Sequence, residues 1–394
     1  MRLRLTILVI AVFLIAAEVC FAQKVYRFSV KVGIDCESVD SLGGEKLVRG
    51  KIADMFGKIN KAFNHTRQFD AVYDFAVDWD AFYIYDGIST EEVFKPHPEH
   101  DYLVIIDGYK SNPKEQGGGW YGSDIQTVYH ARTHNDRFND PFNSQAIDGI
   151  IHEFGHGRGV PDIYAMKVEA CNNPVAPVAC YGTRCIMDYP YGETKWSDYA
   201  VNMINLSGDK MVEIDNLVAE MRPDMFFFNV LNPDGKPAVN ASLNFYPVEW
   251  YSNKVSPKII YTARTDAEGK CYIGGDILFP KSQDYGLKYP NIFVEADFEG
   301  MKSYAWLPLY EIENVKFNGE NTYRLTMFMK SSVPSDPFKF RVTDKRYPKP
   351  SGVDSYRWIV NSCGQIEWNV NKEQLPIVVF ITIEQPKLIR NIRV

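Results

Sequence analysis

Residues 144–162 read SQAIDGIIHEFGHGRGVPD, and this stretch carries the clearest structural signal of the chain. From Ile147 to Phe154, apolar residues recur at the i, i+3, i+4 and i+7 spacing of one helix face, which predicts an amphipathic helix that begins near Ser144. The helix is expected to end at Gly157–Gly159, because glycine readily takes the left-handed conformation that terminates helices. Pro161 then disfavours any continuation.

The same stretch has the spacing of a metal site. His152 and His156 are four residues apart, so they lie on one helix face and can bind one ion. A turn at Gly159 would bring Asp162 back as a third ligand and leave a fourth position for water, as catalytic zinc requires. Glu153 is the expected general base for that water. We therefore expect one catalytic zinc ion.

The pattern H-E-x-x-H-x-x-G-x-x-D, followed by CIMDY at 185–189, resembles the metzincin zinc endopeptidases. The resemblance covers roughly residues 26–221. It implies that Met187 forms an apolar floor under the metal without ligating it. It also implies that Tyr189 acts as the corresponding tyrosine of astacins and serralysins does, ligating zinc at rest and then stabilising the oxyanion. Asp162 stands where the family usually has histidine, a variant that resembles the snapalysin type.

Alternative roles remain for several of these residues. Asp162 would otherwise cap a turn, with a side chain such as His134 completing the site, and Tyr189 would simply be packed. Asp136 and Asp140 lie in a polar loop that would bind calcium or, in the plainer interpretation, only be solvated.

A glycine-rich segment precedes the helix. The family resemblance implies that Gly118, Gly119 and Trp120 belong to an exposed edge strand that pairs with an extended substrate. Glycines there would let the substrate backbone approach closely. The alternative interpretation is a flexible turn.

The catalytic half is expected to be an α/β (α+β) metzincin-like domain. Outside the metal motif, the patterns predict strands and two further helices, at 26–34 (strand), 45–63 (helix), 71–85, 102–106 and 125–129 (strands), and 209–221 (helix).

Composition changes after Pro223, where alternating apolar runs and turn pairs such as Asp234-Gly235 and Glu268-Gly269 predict an all-β region. Residues 230–270 resemble the carboxypeptidase-regulatory or prealbumin-like β-sandwich, whose modules have no chemistry of their own. The predicted divisions are a signal peptide (1–22), a zinc peptidase domain (23–224), a β-sandwich (225–332) and a β-rich domain or extension (333–394).

The first residues have the pattern of a secretory signal peptide. Arg2 and Arg4 precede an apolar run, and Ala22 is a plausible cleavage point. The alternative is a lipoprotein signal that retains Cys20. Either type of signal predicts a secreted, periplasmic or cell-surface protein.

An exported chain permits disulfides, and the crowding of Cys171, Cys180 and Cys185 favours a local bridge over a thiolate metal site. Such a bridge would hold the turn before Met187 rigid.

The 394 residues carry a net charge of −7 with scattered lysines and arginines, which disfavours a nucleic-acid partner. The mature chain has no apolar stretch long enough to span a bilayer.

The metal motif and the predicted signal peptide together favour a secreted zinc endopeptidase acting on a protein or peptide substrate. Two alternatives are an inactive peptidase scaffold that serves in surface binding or adhesion, and a zinc peptidase directed at glycoproteins. The oligomeric state is not predicted.

Overall fold

The computed structural model contains both helices and several β-sheets, as the predicted mixed α and β class requires. The residues that it describes are 24–64, 69–88, 99–108, 110–111, 118–121, 127–132, 142–181, 183, 185–188, 195–283, 285–329, 356–360, 366–370 and 377–379. The predicted signal peptide lies outside them. Within the described part of the chain, no helix combines the length and apolar character needed to cross a membrane.

The chain divides into two compact units. The first consists of Met1–Val160 and Pro190–Glu213, and the second of Pro161–Tyr189 and Ile214–Val394. The predicted domain ranges remain predictions. Pro161–Tyr189 packs with the C-terminal strands.

The N-terminal unit is built on a six-stranded sheet in the order β2-β1-β4-β6-β5, with β3 also pairing with β1. β5 pairs antiparallel to β6, whereas the other pairings are parallel. Its elements are β1 (Lys24–Asp35), α1 (Cys36–Ser41), α2 (Glu45–Asn64), β2 (Ala71–Val77), β3 (Tyr83–Tyr85), β4 (Tyr102–Asp107), β5 (Gly118–Tyr121), β6 (Thr127–Arg132), α3 (Ser144–His156) and α4 (Asp198–Ser207).

The sheet is apolar at its centre, where its strands pair in parallel. All six residues of β4 are buried, as expected of a strand covered on both faces. The predicted amphipathic helix at 45–63 is confirmed as α2, which buries Val48, Ile52, Met55, Phe56, Ile59 and Phe63.

Helix α3 is fixed to the sheet by aromatic packing. Phe154 stacks on Tyr102 of β4, with ring centroids 4.4 Å apart, and meets Phe75 of β2 edge-on at 4.9 Å. The helix begins at Ser144 as predicted, because the Asn143 side chain accepts a hydrogen bond from the backbone N–H of Ala146 at 2.8 Å.

The end of α3 has the hydrogen bonds of a Schellman motif. Gly159 has φ +83°, its N–H donates to the carbonyl of His156 at 2.8 Å, and the Val160 N–H donates to the carbonyl of Gly155 at 3.2 Å. The predicted glycine turn is thus confirmed at Gly159.

The fully buried Arg158 secures this end of the helix within the N-terminal unit. Its Nε donates to the Tyr102 hydroxyl at 3.0 Å and its Nη1 to the carbonyl of Gly208 at 3.2 Å. The guanidinium also lies 4.1 Å from the centroid of the Phe28 ring, an arrangement typical of a cation–π contact.

The C-terminal unit is rich in β structure, as predicted from the change in composition. It contains sheets β10-β7-β15 and β14-β13-β8-β9, the pair β11-β12, and the sheet β16-β17-β18. Its elements are two 3₁₀ turns (Ile163–Met166 and Ala170–Asn172), α5 (Ile214–Met221), β7 (Met225–Leu231), β8 (Ser242–Val248), β9 (Tyr261–Arg264), β10 (Lys270–Gly274), α6 (Gly275–Leu278), β11 (Lys281–Ser282), β12 (Gly286–Leu287), β13 (Asn291–Phe298), β14 (Met301–Trp306), α7 (Leu309–Ile312), α8 (Asn314–Phe317), β15 (Thr322–Phe328), β16 (Tyr356–Val360), β17 (Ile366–Val370) and β18 (Ile377–Val379).

The predicted turns between these strands are present. Gly235 and Gly269 have φ of +77° and +72°, as their D-G and E-G turns require. The predicted helix at 209–221 is shorter than expected and begins at Ile214.

The segment after Asp162 joins the C-terminal strands through one apolar cluster. Val168 and Cys180 pair as an isolated β-bridge, and both are buried with Val248 and Phe293. This packing explains why the segment belongs to the C-terminal unit.

The predicted local disulfide is wrong, because neither Cys180 nor Cys185 is in a disulfide bond. Cys180 is instead buried in the apolar cluster, where its Sγ lies 3.3 Å from Asn291 Nδ2 and 3.8 Å from the Tyr310 hydroxyl. Burial raises the pKa of this thiol to about 11.

Candidate metal centre

The two histidines of the motif lie side by side on α3. The ring centroids of His152 and His156 are 4.7 Å apart, with the ring planes nearly perpendicular. His152 is buried and His156 is half-buried. This arrangement follows from their spacing, because residues i and i+4 share a helix face.

The tautomer of His156 follows from its hydrogen bond. Its Nδ1 lies 2.7 Å from the carbonyl oxygen of Val160, which can only accept. Nδ1 therefore carries the proton and Nε2 presents the lone pair. Histidines that ligate metals are typically oriented by such a bond, and here the Schellman turn supplies the carbonyl.

Asp162 is buried, and its carboxylate accepts two hydrogen bonds on one oxygen. The hydroxyl of Tyr164 donates to Oδ2 at 3.0 Å and that of Tyr251 at 2.8 Å. Asp162 precedes the 3₁₀ turn Ile163–Met166, but its side chain makes no capping hydrogen bond there. The capping role considered from the sequence is therefore not observed.

Burial raises the pKa of Tyr251 above its ordinary value, and the nearby Asp162 carboxylate adds to the effect. The hydroxyl thus keeps its proton and remains a donor.

His152, His156 and Asp162 together form a group that can hold a metal ion. Each offers one ligand atom, and these atoms all lie within 4.8 Å of one another. The donor set consists of two imidazole nitrogens and one carboxylate oxygen, which suits several divalent transition metals, zinc among them.

Glu153 follows His152 on α3 and is half-buried. Successive residues of a helix point about 100° apart, so this carboxylate does not share the face of the two histidines. The helix therefore keeps Glu153 beside the ligand pair without adding it to the pair.

Met187 is fully buried in a turn that spans Cys185–Asp188. Its carbonyl accepts a hydrogen bond at 3.0 Å from the N–H of Ile163, the residue after Asp162. The methionine segment is thus bonded to the backbone that carries the third candidate ligand.

An ion pair also holds this turn. Lys167 Nζ lies 2.6 Å from Asp188 Oδ1, and the aspartate is buried. Burial raises the pKa of Asp188, while the lysine opposes that shift by stabilising the charged form.

The predicted substrate strand corresponds to β5. It holds Gly118, Gly119 and Trp120, and it is the last strand of its sheet as far as the described residues show. The remaining candidates, Tyr189, His134, Asp136 and Asp140, lie outside the described residues.

Sequence reasoning missed Tyr164 and Tyr251. Tyr164 is two residues from Asp162, so its proximity could have been inferred. Tyr251 is 89 residues away along the chain, and no local pattern points from one to the other.

A search against protein-family models found no match, and a search of curated proteins also found none.

Proposed function

We propose that this protein is a zinc-dependent endopeptidase of the metzincin type. The observation that supports the proposal is the close approach of ligand atoms from His152, His156 and Asp162. Glu153 adds a carboxylate to the same helix. A metzincin-like domain over 23–224, a β-sandwich over 225–332 and export of the mature chain belong to the same proposal.

Zinc suits the donor set, because catalytic zinc sites use three protein ligands of these types and keep one position open. His152, His156 and Asp162 would hold the ion. When bound, zinc supplies Lewis acidity that polarises a peptide carbonyl and makes water more acidic.

Glu153 has the role of general base. Its carboxylate accepts a proton from the water molecule that attacks the peptide carbonyl carbon, where a new C–O bond forms. The same residue then delivers that proton to the amine nitrogen as the C–N bond breaks. In this scheme Tyr189 assists by donating to the oxyanion.

Strand β5 is the proposed binding edge for the substrate. An extended peptide would pair with its backbone, and Gly118 and Gly119 would allow close approach. The substrate is then a protein or peptide that can present an extended segment.

The experiment that tests this function compares wild-type protein with Glu153→Gln on a diverse peptide library, with and without a zinc chelator. Glu153→Gln should retain zinc and lose at least about 100-fold of the hydrolysis rate, because the ligands remain and only the proton acceptor is lost. Glu220→Gln, at an exposed helical position, is the matched control and should behave as wild type.

Full activity in Glu153→Gln would refute the assigned mechanism. Zinc-loaded wild-type protein that cleaves no peptide would favour the inactive binding scaffold instead.

A further inference from the structure

We propose that Tyr251 is a positioning residue for the candidate metal ligand Asp162. Its hydroxyl holds Oδ2 of that carboxylate, so that binding the ion falls to the other oxygen, Oδ1. This inference rests on the proposed metal site and extends it to a residue of the β-rich C-terminal unit.

The first supporting observation is the pair of hydrogen bonds that the Asp162 carboxylate accepts. Each carboxylate oxygen offers about two lone-pair positions. On Oδ2 these are taken by the hydroxyls of Tyr251 at 2.8 Å and Tyr164 at 3.0 Å. An oxygen that already accepts two hydrogen bonds is a poor metal ligand, and the two bonds also fix the rotation of the carboxylate.

The second supporting observation is the backbone conformation of Tyr251. Its φ is +58°, and two residues later Asn253 has φ +49°. A bulky side chain rarely adopts this left-handed conformation, which costs on the order of 1 kcal/mol. Strain of this kind persists where the surrounding structure requires it, and it is often found at functional sites.

Asn253 shows what the strained turn does for the ligand-bearing loop. Its Nδ2 donates to the carbonyls of Tyr164 at 2.8 Å and Lys167 at 2.9 Å. The turn therefore holds the backbone after Asp162 through Asn253 and the Asp162 carboxylate through Tyr251. Both contacts lie within the C-terminal unit.

Neighbouring rings fix the orientation of Tyr251. Its ring centroid lies 5.7 Å from that of Tyr285, 6.1 Å from that of Trp250 and 6.1 Å from that of Tyr164. Trp250 is itself anchored, because its Nε1 donates to the carbonyl of Leu287 at 2.8 Å. These ring contacts thus restrict the movement of Tyr251, which is itself 45% exposed.

In this proposal Tyr251 does not bind the metal ion but donates a hydrogen bond to a residue that does. Such partners orient the residues that bind a metal, and their removal typically lowers metal affinity by about 10–100-fold. The turn after β8, in a region expected to have no chemistry of its own, would then contribute one hydroxyl that holds a candidate metal ligand.

The test uses full-length Tyr251→Phe, which removes the hydroxyl and keeps the ring. Zinc affinity is measured by competition with a chromophoric chelator, and the visible absorption spectrum of the cobalt(II)-loaded protein reports the ligand geometry. Tyr251→Phe should bind zinc about 10–100-fold more weakly and show an altered cobalt spectrum. Tyr164→Phe and the double variant complete the series, and the double variant should bind more weakly than either single variant.

Tyr285→Phe is the matched control, since it lies in the same aromatic group and should keep the wild-type affinity and spectrum. Thermal unfolding of each metal-free variant separates effects on folding from effects on the site. Wild-type affinity and spectrum in both Tyr251→Phe and the double variant would overturn the proposal. An equal loss in Tyr285→Phe would also overturn it, by assigning the effect to packing.

Failure of the positioning role can be told apart from failure of the proposed peptidase activity. Weaker zinc binding in Tyr251→Phe, together with wild-type protein that cleaves no peptide, would uphold the positioning role and refute the peptidase. Wild-type protein that binds neither zinc nor cobalt would refute both.

Discussion

Two of the three candidate ligands are oriented by hydrogen bonds to atoms outside the ligand group. The Val160 carbonyl accepts from His156 Nδ1, and two tyrosine hydroxyls donate to Asp162 Oδ2. These bonds set the tautomer of His156 and the rotation of the Asp162 carboxylate. At the scale of single residues, the site is therefore organised by neighbours that are not themselves ligands.

Replacing the carboxylate tests whether Asp162 is a ligand. Asp162→Ala should lower zinc content and hydrolysis together, because two histidines alone hold the ion weakly. Asp162→His should retain more zinc than the alanine variant, since imidazole is also a zinc ligand. The measurement is zinc per chain after dialysis against a weak chelator. An alanine variant with unchanged zinc content would remove Asp162 from the ligand set.

Thiol reactivity tests the burial of Cys180 and the absence of a local disulfide. Burial raises the pKa of Cys180 to about 11, and that of Cys271 also to about 11. Because only the thiolate reacts, alkylation of both should be slow at pH 8 and should rise roughly tenfold per pH unit toward that pKa. The exposed Cys36 should be alkylated first.

Peptide mass spectrometry after timed alkylation measures each site. In denaturant without reductant all three cysteines should react alike. Failure of Cys180 to react under those conditions would restore the disulfide that the structure excludes.

Among the secondary-structure elements, the C-terminal end of α3 is the one that forms the candidate metal centre. The helix supplies the two histidines, and the turn at Gly159 redirects the chain so that Asp162 reaches them. Only Val160 and Pro161 separate Gly159 from Asp162. A change in the turn should therefore affect both stability and metal binding.

Gly159→Ala should lower the free energy of unfolding by about 1–2 kcal/mol, because alanine is disfavoured at φ +83°. It should also weaken zinc binding by displacing Asp162. Gly57→Ala in α2 is the control, for which the free energy of unfolding should rise. A Cβ there meets open space, and alanine should stabilise the helix by about 0.5–1 kcal/mol. Urea unfolding measures both, and a Gly159→Ala variant as stable as wild type would contradict the role of the turn.

At the scale of the whole molecule, the C-terminal unit is discontinuous in sequence. Its first part, Pro161–Tyr189, bears Asp162, and its second part supplies the strands against which that segment packs. The apolar cluster around Phe293 joins the two parts. The segment that carries the third candidate ligand thus depends on residues more than 100 positions away.

Phe293→Ala should therefore loosen the 161–189 segment. The loss of a fully buried phenylalanine costs about 3–5 kcal/mol. The amides of Val168 and Cys180, each bonded to the other's carbonyl, should exchange faster in hydrogen–deuterium exchange. Phe328→Ala, in the same unit but largely exposed, should leave that exchange unchanged. If Val168 and Cys180 exchange no faster in Phe293→Ala than in Phe328→Ala, the apolar cluster does not hold the segment.

Features that depend on contacts within a few residues could be predicted from the amino-acid sequence. These are the helix from Ser144, the histidine pair, the turn at Gly159 and the glycine turns of the β region. Their hydrogen bonds span at most five residues, so local spacing and the conformational freedom of glycine were enough to predict them. The roles of Glu153 and Tyr189 remain predictions from the motif.

The contacts between groups that are distant in sequence could not be predicted in this way. Cys180 packs against Asn291 rather than forming a nearby disulfide, and Tyr251 reaches Asp162 across 89 residues of chain. Both contacts result from the way the C-terminal strands bury the segment that follows Asp162. Such pairings depend on the packing of whole elements, for which neither periodicity nor residue spacing carries a signal.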